Sequence, residues 1–324
     1  MTSGRAKDFL AKHFEGVNRI HGLHFVTEDN RVRLGRTLWS NVLAGTVGLP
    51  RNIEAYFELL GEFRPEVVIS DFESWTYLYA KVHRLPVFSI DNMQVINRCT
   101  HPPEVLEGEM ASFELARAFV KSKLPFCDQY LITTFFRPEI RKERTSLHPP
   151  ILRPEILATT PRTGEHLLVY QTAEGHDSLA RVLQRVDVEC RVYGMHRGLT
   201  EERVEGNLRH RPFSEAGFIE DLATSRAVIS GGGFTVMSES VYFHKPMLVV
   251  PLQNQFEQVL NARWLARLGY GQYTHDIADA AQVRDFLAAV PQCEQQLASY
   301  TQDGNRDLLG AIDEQLDRAA AGLY

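Results

Sequence analysis

Residues 229–262 read ISGGGFTVMSESVYFHKPMLVVPLQNQFEQVLNA, and this stretch decides the fold of the chain. Three consecutive glycines, Gly231–Gly233, separate an apolar run from a segment that is predicted to be helical. A second apolar run follows, and an acid- and amide-rich segment, residues 253–258, comes directly after it. A glycine turn between a strand and a helix is typical of parallel α/β domains, which bind ligands at the carboxyl ends of their strands.

Composition narrows the class of protein. A length of 324 residues suits two domains better than one α/β layer sandwich. The formal net charge of −6 gives no electrostatic reason to expect nucleic acid as a partner. The four cysteines have no metal-ligand spacing, and no apolar run is long enough to span a bilayer. We therefore expect a soluble cytoplasmic protein, which still permits peripheral contact with a membrane; its oligomeric state is left open.

Short β-rich runs alternate with amphipathic helices, and this alternation predicts two α/β domains with parallel sheets. The predicted strands are residues 66–70, 86–90, 129–135, 166–171, 189–194, 207–213, 226–230 and 246–251. The predicted helices are residues 73–83, 103–123, 177–186, 217–224, a segment after Gly233, and residues 255–268, with further helices at the C-terminus. Segment 136–165 carries five prolines and indicates an interdomain linker, so we place the domains at residues 1–145 and 151–324.

The first residues are unusual for this architecture. The sequence MTSGRAKDFLAKHF, residues 1–14, indicates a helix with Ser3 as its N-cap. Doubly wound domains normally begin with a strand and a glycine-rich turn. We therefore expect an incomplete N-terminal domain that lacks its first strand, turn and helix and its second strand. A start codon assigned too late is the preferred explanation over a truncated and inactive version.

The glycine turn and the polar residues after it suit a phosphorylated sugar ligand. The amides of a first helical turn have no partners within the helix, and without a Cβ in the way a diphosphate can approach them. Glu239 lies about one and a half turns farther on and can accept hydrogen bonds from the vicinal hydroxyls of a ribose. The amides and carboxylates of residues 253–258 suit sugar hydroxyls. The alternatives are a turn that needs glycine for its own backbone angles, a solvated helix glutamate and a polar loop.

The order GGG…E…P…P…EQ…NA…G resembles the donor-binding half of GT-B glycosyltransferases. In particular, it resembles the bacterial N-acetylglucosaminyltransferases that act on undecaprenyl-linked muramyl peptide, together with their uncharacterised relatives. The likeness is strong over residues 205–271 and extends loosely to PEVVISDFESWTYLYAKVHRLPVFSIDN, residues 65–92. It implies two Rossmann-like domains facing across a cleft, with the acceptor on the N-terminal domain and the nucleotide-sugar donor on the C-terminal domain.

The resemblance also implies roles for individual residues. The glycines hold the donor diphosphate, Glu239 holds the ribose, and Glu257 with Gln258 holds the sugar. Ile219 occupies the position whose backbone contacts uracil. The candidate substrate-binding residues are Ile219, Gly231, Gly232, Gly233, Phe234, Glu239, Gln255, Glu257 and Gln258. We expect no metal and no cofactor, because the sequence has no Asp-x-Asp motif and backbone amides can stabilise the departing diphosphate.

The acceptor side offers several polar residues at the predicted strand ends: Asp71, Glu73, Asp91, Asn92 and Gln94. An inverting transferase needs a general base near the acceptor hydroxyl, and Asp71 is our candidate. The alternative is that Asp71 caps the helix that begins near Glu73. His21, His24 and His101 are interpreted as surface or packing residues.

The resulting prediction is a metal-independent, inverting glycosyltransferase. Its donor is predicted to be a UDP-hexose or a UDP-N-acetylhexosamine, and its unknown acceptor a sugar, a lipid-linked molecule or a small molecule. Two alternatives remain open, a UDP-sugar 2-epimerase on the same fold and an inactive sugar-nucleotide-binding remnant.

Overall fold

A computed structural model describes residues 64–171, 177–196, 198–252 and 255–324, together with short pieces between residues 2 and 32. In the first of these pieces, Thr2–Ser3 pairs in parallel with Arg19–Ile20. Ser3 therefore belongs to a strand, and the prediction that it caps a helix is wrong. His21, His24, Gln253 and Asn254 lie outside the described residues.

The element bounds follow the predicted alternation. The strands are Thr2–Ser3 (β1), Arg19–Ile20 (β2), Thr27–Glu28 (β3), Arg31–Val32 (β4), Val68–Ser70 (β5), Val87–Asp91 (β6), Cys99–Thr100 (β7), Gln129–Thr133 (β8), Glu139–Ile140 (β9), Thr145–His148 (β10), Leu167–Tyr170 (β11), Cys190–Tyr193 (β12), Arg203–Glu205 (β13), Leu208–His210 (β14), Ala227–Ser230 (β15), Met247–Val249 (β16) and Gly271–Tyr273 (β17). The helices are Ser74–His83 (α1), Gln94–Arg98 (α2), Pro103–Leu106 (α3), Met110–Lys123 (α4), Pro154–Ala158 (α5), Asp177–Leu183 (α6), Glu215–Ala223 (α7), Phe234–Tyr242 (α8), Phe256–Arg267 (α9), Ala280–Leu297 (α10) and Arg306–Ala320 (α11).

The first large sheet has four parallel strands in the order β10-β8-β6-β5. Its inner strands carry fully buried side chains such as Val87, Phe88 and Ile132, as expected for a parallel sheet covered on both faces. Strand β10 lies inside segment 136–165, so the prediction that this whole segment is a linker is wrong. Its residues TSLH lack the apolar run by which the other strands were identified.

The second large sheet has seven strands in the order β13-β14-β12-β11-β15-β16-β17. All neighbours pair in parallel except β13 with β14, which form an antiparallel hairpin. The central strand β11 is a continuous apolar run, and Leu167, Leu168 and Val169 are fully buried. The carboxyl ends of β11, β15 and β16 meet at one edge of this sheet, which is the edge that carries the Gly231–Gly233 turn.

Helices from both parts of the chain pack the two sheets together. The Trp264 side chain of α9 stacks on Phe136, which follows β8, with ring centroids 4.8 Å apart. The end of the chain returns to the first sheet, where the Tyr324 ring lies 5.3 Å from Phe88. Asp307 of α11 also pairs with His148 of β10, so the C-terminal helix packs back towards the N-terminal part, as predicted.

Candidate functional site

The three glycines of the turn differ in what the protein requires of them. Gly232 has φ +83°, and a Cβ there would lie 3.0 Å from Val249 Cγ1 and 3.2 Å from Gln258 Cβ. Gly233 is the N-cap of α8 with an ordinary φ of −63° and no side-chain cap. A Cβ at Gly233 would meet no atom within 4 Å. Backbone geometry and packing therefore explain why residue 232 is a glycine, but they do not explain Gly233. The absence of a side chain at Gly233 leaves the first turn of α8 accessible to a ligand.

Glu239 is buried in α8 and is held from one side. Its side chain is 2% exposed, and Arg153 donates to its Oε1 from Nε at 2.9 Å and from Nη2 at 2.8 Å. Arg153 is held in turn by an ion pair with Glu215. Burial raises the pKa of Glu239, and the adjacent guanidinium opposes the rise. The Oε2 atom is buried and has no hydrogen-bond partner among the described residues, so this glutamate is not a solvated helix residue.

The acid–amide segment begins α9 at the same sheet edge. Glu257 is half-buried and accepts a hydrogen bond of 3.5 Å from Asn261 Nδ2. Burial raises the pKa of Glu257 to about 7, with a further contribution from the Asp91 carboxylate. Gln258 Oε1 accepts from the backbone N–H of Leu252 at 2.9 Å and so holds the preceding loop. The charge of Asp91, in the N-terminal part, thus acts on Glu257, whereas the side-chain oxygen of Gln258 is engaged within its own half.

Asp91 ends strand β6, and its carboxylate is the one whose charge acts on Glu257. It is 6% exposed and accepts hydrogen bonds from Ser89 Oγ at 2.5 Å and from the Gln94 backbone N–H at 2.8 Å. Burial raises the pKa of Asp91 to about 6, and the charge of Asp71 adds to the rise. The site thus brings together carboxylates from both parts of the chain.

Asp71 lies at the carboxyl end of β5 with its side chain exposed to solvent. The surrounding protein nevertheless raises the pKa of its carboxyl by desolvation, and Lys123 opposes this rise. The N-cap of α1 is Glu73, whose side chain accepts from the backbone N–H groups of Trp75 and Thr76, each at 2.8 Å. The alternative that Asp71 caps this helix is therefore wrong.

Among the described residues, most buried polar atoms without a hydrogen-bond partner lie on α2, α8 or α9 or within two residues of their starts; the two ring nitrogens of His210 are the exceptions. Within the described part of the chain they include Asn92 Oδ1, Gln94 Nε2, Glu239 Oε2, Gln255 Oε1 and Asn261 Oδ1. Buried polar groups are nearly always hydrogen-bonded to protein or to ordered water. The concentration of exceptions here indicates a site that a polar ligand fills.

Two of the predicted site residues use their side chains for packing. Phe234 stacks on Phe135 of the N-terminal part, with ring centroids 6.0 Å apart and planes 14° from parallel. Ile219 lies within α7 and is 4% exposed in the core. These two side chains are therefore engaged within the protein rather than open to a ligand. Arg153, which orients Glu239, was not predicted, because no local sequence pattern relates a residue in the proline-bearing segment to a helix 86 positions away.

Comparison with known proteins identifies the family to which this chain is similar. The family model described as glycosyl transferase family 1 matches residues 1–291. An uncharacterized glycosyltransferase of Methanosarcina acetivorans is 25% identical over an alignment of 272 positions that covers 71% of this chain and 68% of the relative. The UDP-N-acetylglucosamine–N-acetylmuramyl-(pentapeptide) pyrophosphoryl-undecaprenol N-acetylglucosamine transferase 3 of Bacillus cereus is 33% identical over 87 residues. That match spans only 26% of this chain and 24% of the relative.

Solved structures agree on the fold. A UDP-glucosyltransferase from Polygonum tinctorium superimposes with a TM-score of 0.60 at 14% identity, over 93% of this chain and 84% of that chain. The predicted GT-B fold is thereby confirmed. None of the described helices has the length and apolar character that crossing a membrane would require.

Proposed function

The chain belongs to glycosyl transferase family 1, and from this premise we propose that it transfers a sugar from a nucleotide-diphosphate donor to an acceptor hydroxyl. The observation that carries the proposal is the pairing of an open helix N-terminus at Gly233 with the unpartnered Oε2 of Glu239. The two residues are six positions apart on α8, or roughly 9 Å along the axis. This is the scale of a nucleoside diphosphate, with its phosphates on the helix amides and its ribose on the glutamate.

The donor is a UDP-hexose or a UDP-N-acetylhexosamine in this proposal. Gln255 and Glu257 lie at the start of α9, where an unpartnered amide oxygen and a half-buried carboxyl are available to sugar hydroxyls. Gln258 supports this part of the site by holding Leu252, and the backbone of Ile219 contacts the base. In this proposal the donor binds to residues 151–324, and the acceptor binds to residues 1–145.

Transfer proceeds with inversion in this proposal and requires no metal. The acceptor oxygen attacks the anomeric carbon, the bond from that carbon to the diphosphate oxygen breaks, and the α8 amides and helix dipole stabilise the departing charge. Asp71 takes the acceptor proton, because both oxygens of the neighbouring Asp91 already accept hydrogen bonds from Ser89 and Gln94.

Asp71→Asn should lower kcat and leave UDP affinity unchanged; full activity in this variant would assign the base elsewhere.

Calorimetric titration with UDP tests the donor site. Glu239→Gln keeps the shape of the side chain, removes its charge and replaces one acceptor oxygen by a donor amide. Loss of hydrogen bonds to a charged group should weaken UDP binding by about 1–3 kcal/mol. The matched control is Glu220→Gln, since Glu220 is an exposed glutamate paired with Arg162 at the surface. Equal UDP affinity in the wild type and in folded Glu239→Gln would remove Glu239 from the site.

A further inference from the structure

A second group of ligand-type side chains lies at the outer edge of the seven-stranded sheet. His196 follows β12, Glu205 ends β13 and His210 ends β14. One ligand atom from each residue lies within 4.8 Å of the other two. Strand β14 is three strands from β15 in the sheet order, or about 14 Å, so the group is separate from the Gly231–Gly233 turn.

His210 is the unusual member of this group. Its side chain is buried to 2% exposure, yet neither ring nitrogen has a hydrogen-bond partner among the described residues. Its Nε2 lies 3.7 Å from Glu205 Oε2, and its ring centroid lies 4.5 Å from that of His196. Burial lowers the pKa of His210, as do the neighbouring His196 and Arg203, while Glu205 opposes the shift.

We propose that His196, Glu205 and His210 bind a zinc ion. Two imidazoles and one carboxylate form a ligand set that zinc accepts, with water in the fourth tetrahedral position. Zinc bonds of about 2.1 Å place neighbouring ligand atoms about 3.4 Å apart, so the side chains need to approach by roughly 1 Å. His196 is exposed and free of strand pairing, which allows this movement. Arg203 forms an ion pair with Glu205 Oε1, and the other carboxylate oxygen faces His210.

The ion would have a structural role. It would join the antiparallel β13–β14 hairpin to the segment after β12 and so fasten the exposed edge of the sheet. It would also coordinate the imidazole of His210, which is otherwise buried without a hydrogen bond. Burying a polar group without a hydrogen bond lowers the stability of the fold. The site is independent of sugar transfer, and its test does not depend on an active enzyme.

The experiment uses the full chain after chelator treatment. Zinc titration by calorimetry should give one ion per chain and raise the Tm, and cobalt substitution should give the visible absorption of a tetrahedral site. His196→Asn and Glu205→Gln should each weaken zinc binding by about tenfold or more, since each removes one of three ligands. Because His196 is exposed and Glu205 is part-buried at the edge, both variants should fold, whereas His210→Asn adds the risk of disturbing the core.

The matched control is His275→Asn, which removes an exposed histidine outside the cluster. It should bind zinc as the wild type does. An absence of stoichiometric zinc binding by the wild type would overturn the proposal. So would retention of full zinc affinity in both His196→Asn and Glu205→Gln, because the ion would then lie elsewhere.

Discussion

At the scale of single residues, the most informative comparison is between Gly232 and Gly233. A side chain at Gly232 would have to adopt φ +83° and approach Val249 to 3.0 Å, so the fold itself demands glycine there. A side chain at Gly233 would have an ordinary φ and would meet no atom within 4 Å, so the fold does not require glycine at this position. What Gly233 leaves open is the approach to the α8 amides, which is what a diphosphate needs.

These two glycines give a prediction that separates fold from function. Gly233→Ala should leave the free energy of unfolding unchanged within about 0.5 kcal/mol, yet it should weaken UDP binding, because the methyl group enters the phosphate position. Gly232→Ala should instead lower the free energy of unfolding by about 1–3 kcal/mol through strain and overpacking. Urea unfolding and calorimetry measure the two effects. Undiminished UDP affinity in Gly233→Ala would contradict a diphosphate at this turn.

At the scale of elements, α7 is fixed by one buried carboxylate. Asp221 is 1% exposed and accepts hydrogen bonds from Arg191 Nη1 at 2.5 Å, Tyr193 Oη at 2.6 Å and Arg211 Nε at 2.9 Å. These donors lie on β12 and just after β14, so a single residue joins the helix to two strands. The same helix carries Ile219, and the network therefore positions the proposed contact with the base.

Asp221→Asn should lower the free energy of unfolding by about 3 kcal/mol, because it leaves two guanidinium groups without their shared buried counterion. Glu220→Gln, one position earlier and exposed, should change it by less than about 1 kcal/mol. The hydrogen bonds lower the pKa of Asp221 against the effect of its burial. Its contribution is therefore present above the ordinary aspartate pKa and lost in acid, so the difference between variant and wild type should shrink at low pH. A constant difference would rule out this charge network.

Elements with a strong sequence pattern were predictable, and those defined by tertiary context were not. Apolar runs such as LLVY in β11 and AVIS in β15 identified the strands of the second sheet. Strands β10 and β13 were missed, because TSLH and RVE contain no apolar run and form strands only by pairing at a sheet edge. The GT-B fold was predicted correctly from the order of motifs. The Arg153–Glu239 pair was not, because it depends on how distant segments pack.

At the scale of the whole molecule, α9 and the segment around His101 hold the two halves together. Trp264 Nε1 donates to His101 Nδ1 at 3.1 Å, and His101 Nε2 lies 3.2 Å from the Val95 carbonyl oxygen. This arrangement needs a neutral ring with its proton on Nε2, and burial lowers the pKa of His101 to about 4. His101 was interpreted as a surface or packing residue, and the structure confirms the packing role.

Acid should loosen this interface. Between pH 6.5 and 4 the unfolded chain protonates His101 while the folded chain does not, so the stability that the neutral ring confers falls as pH falls. The loss reaches ~3 kcal/mol at the lower end of this window. His101→Gln, which has no titrating group, should show a flatter stability profile than the wild type when urea unfolding is compared at pH 7 and pH 5. Parallel profiles would mean that His101 is already open to protonation in the folded state.

The carboxylates of Asp91 and Glu257 act on stability in the opposite direction. They belong to the two different halves, and burial raises the pKa of Asp91 to about 6 and that of Glu257 to about 7. From about pH 4 to pH 7 the folded chain thus holds more protons than the unfolded chain, and the stability from this pair falls as pH rises. The charge of Asp91 adds to the rise in the pKa of Glu257, so the two substitutions should not be independent.

Asp91→Asn removes one of these charges and should therefore gain stability relative to the wild type as pH rises from 5 to 7.5. Taking the difference between variant and wild type cancels the opposing contribution of His101, which both proteins share. Glu257→Gln should produce the same trend, and the double variant should gain less than the sum of the two, because either single change already relieves the repulsion. Asp285→Asn, an exposed aspartate on α10, is the control and should leave the pH dependence unchanged. Additive gains from the two substitutions would show that the carboxylates do not interact across the cleft.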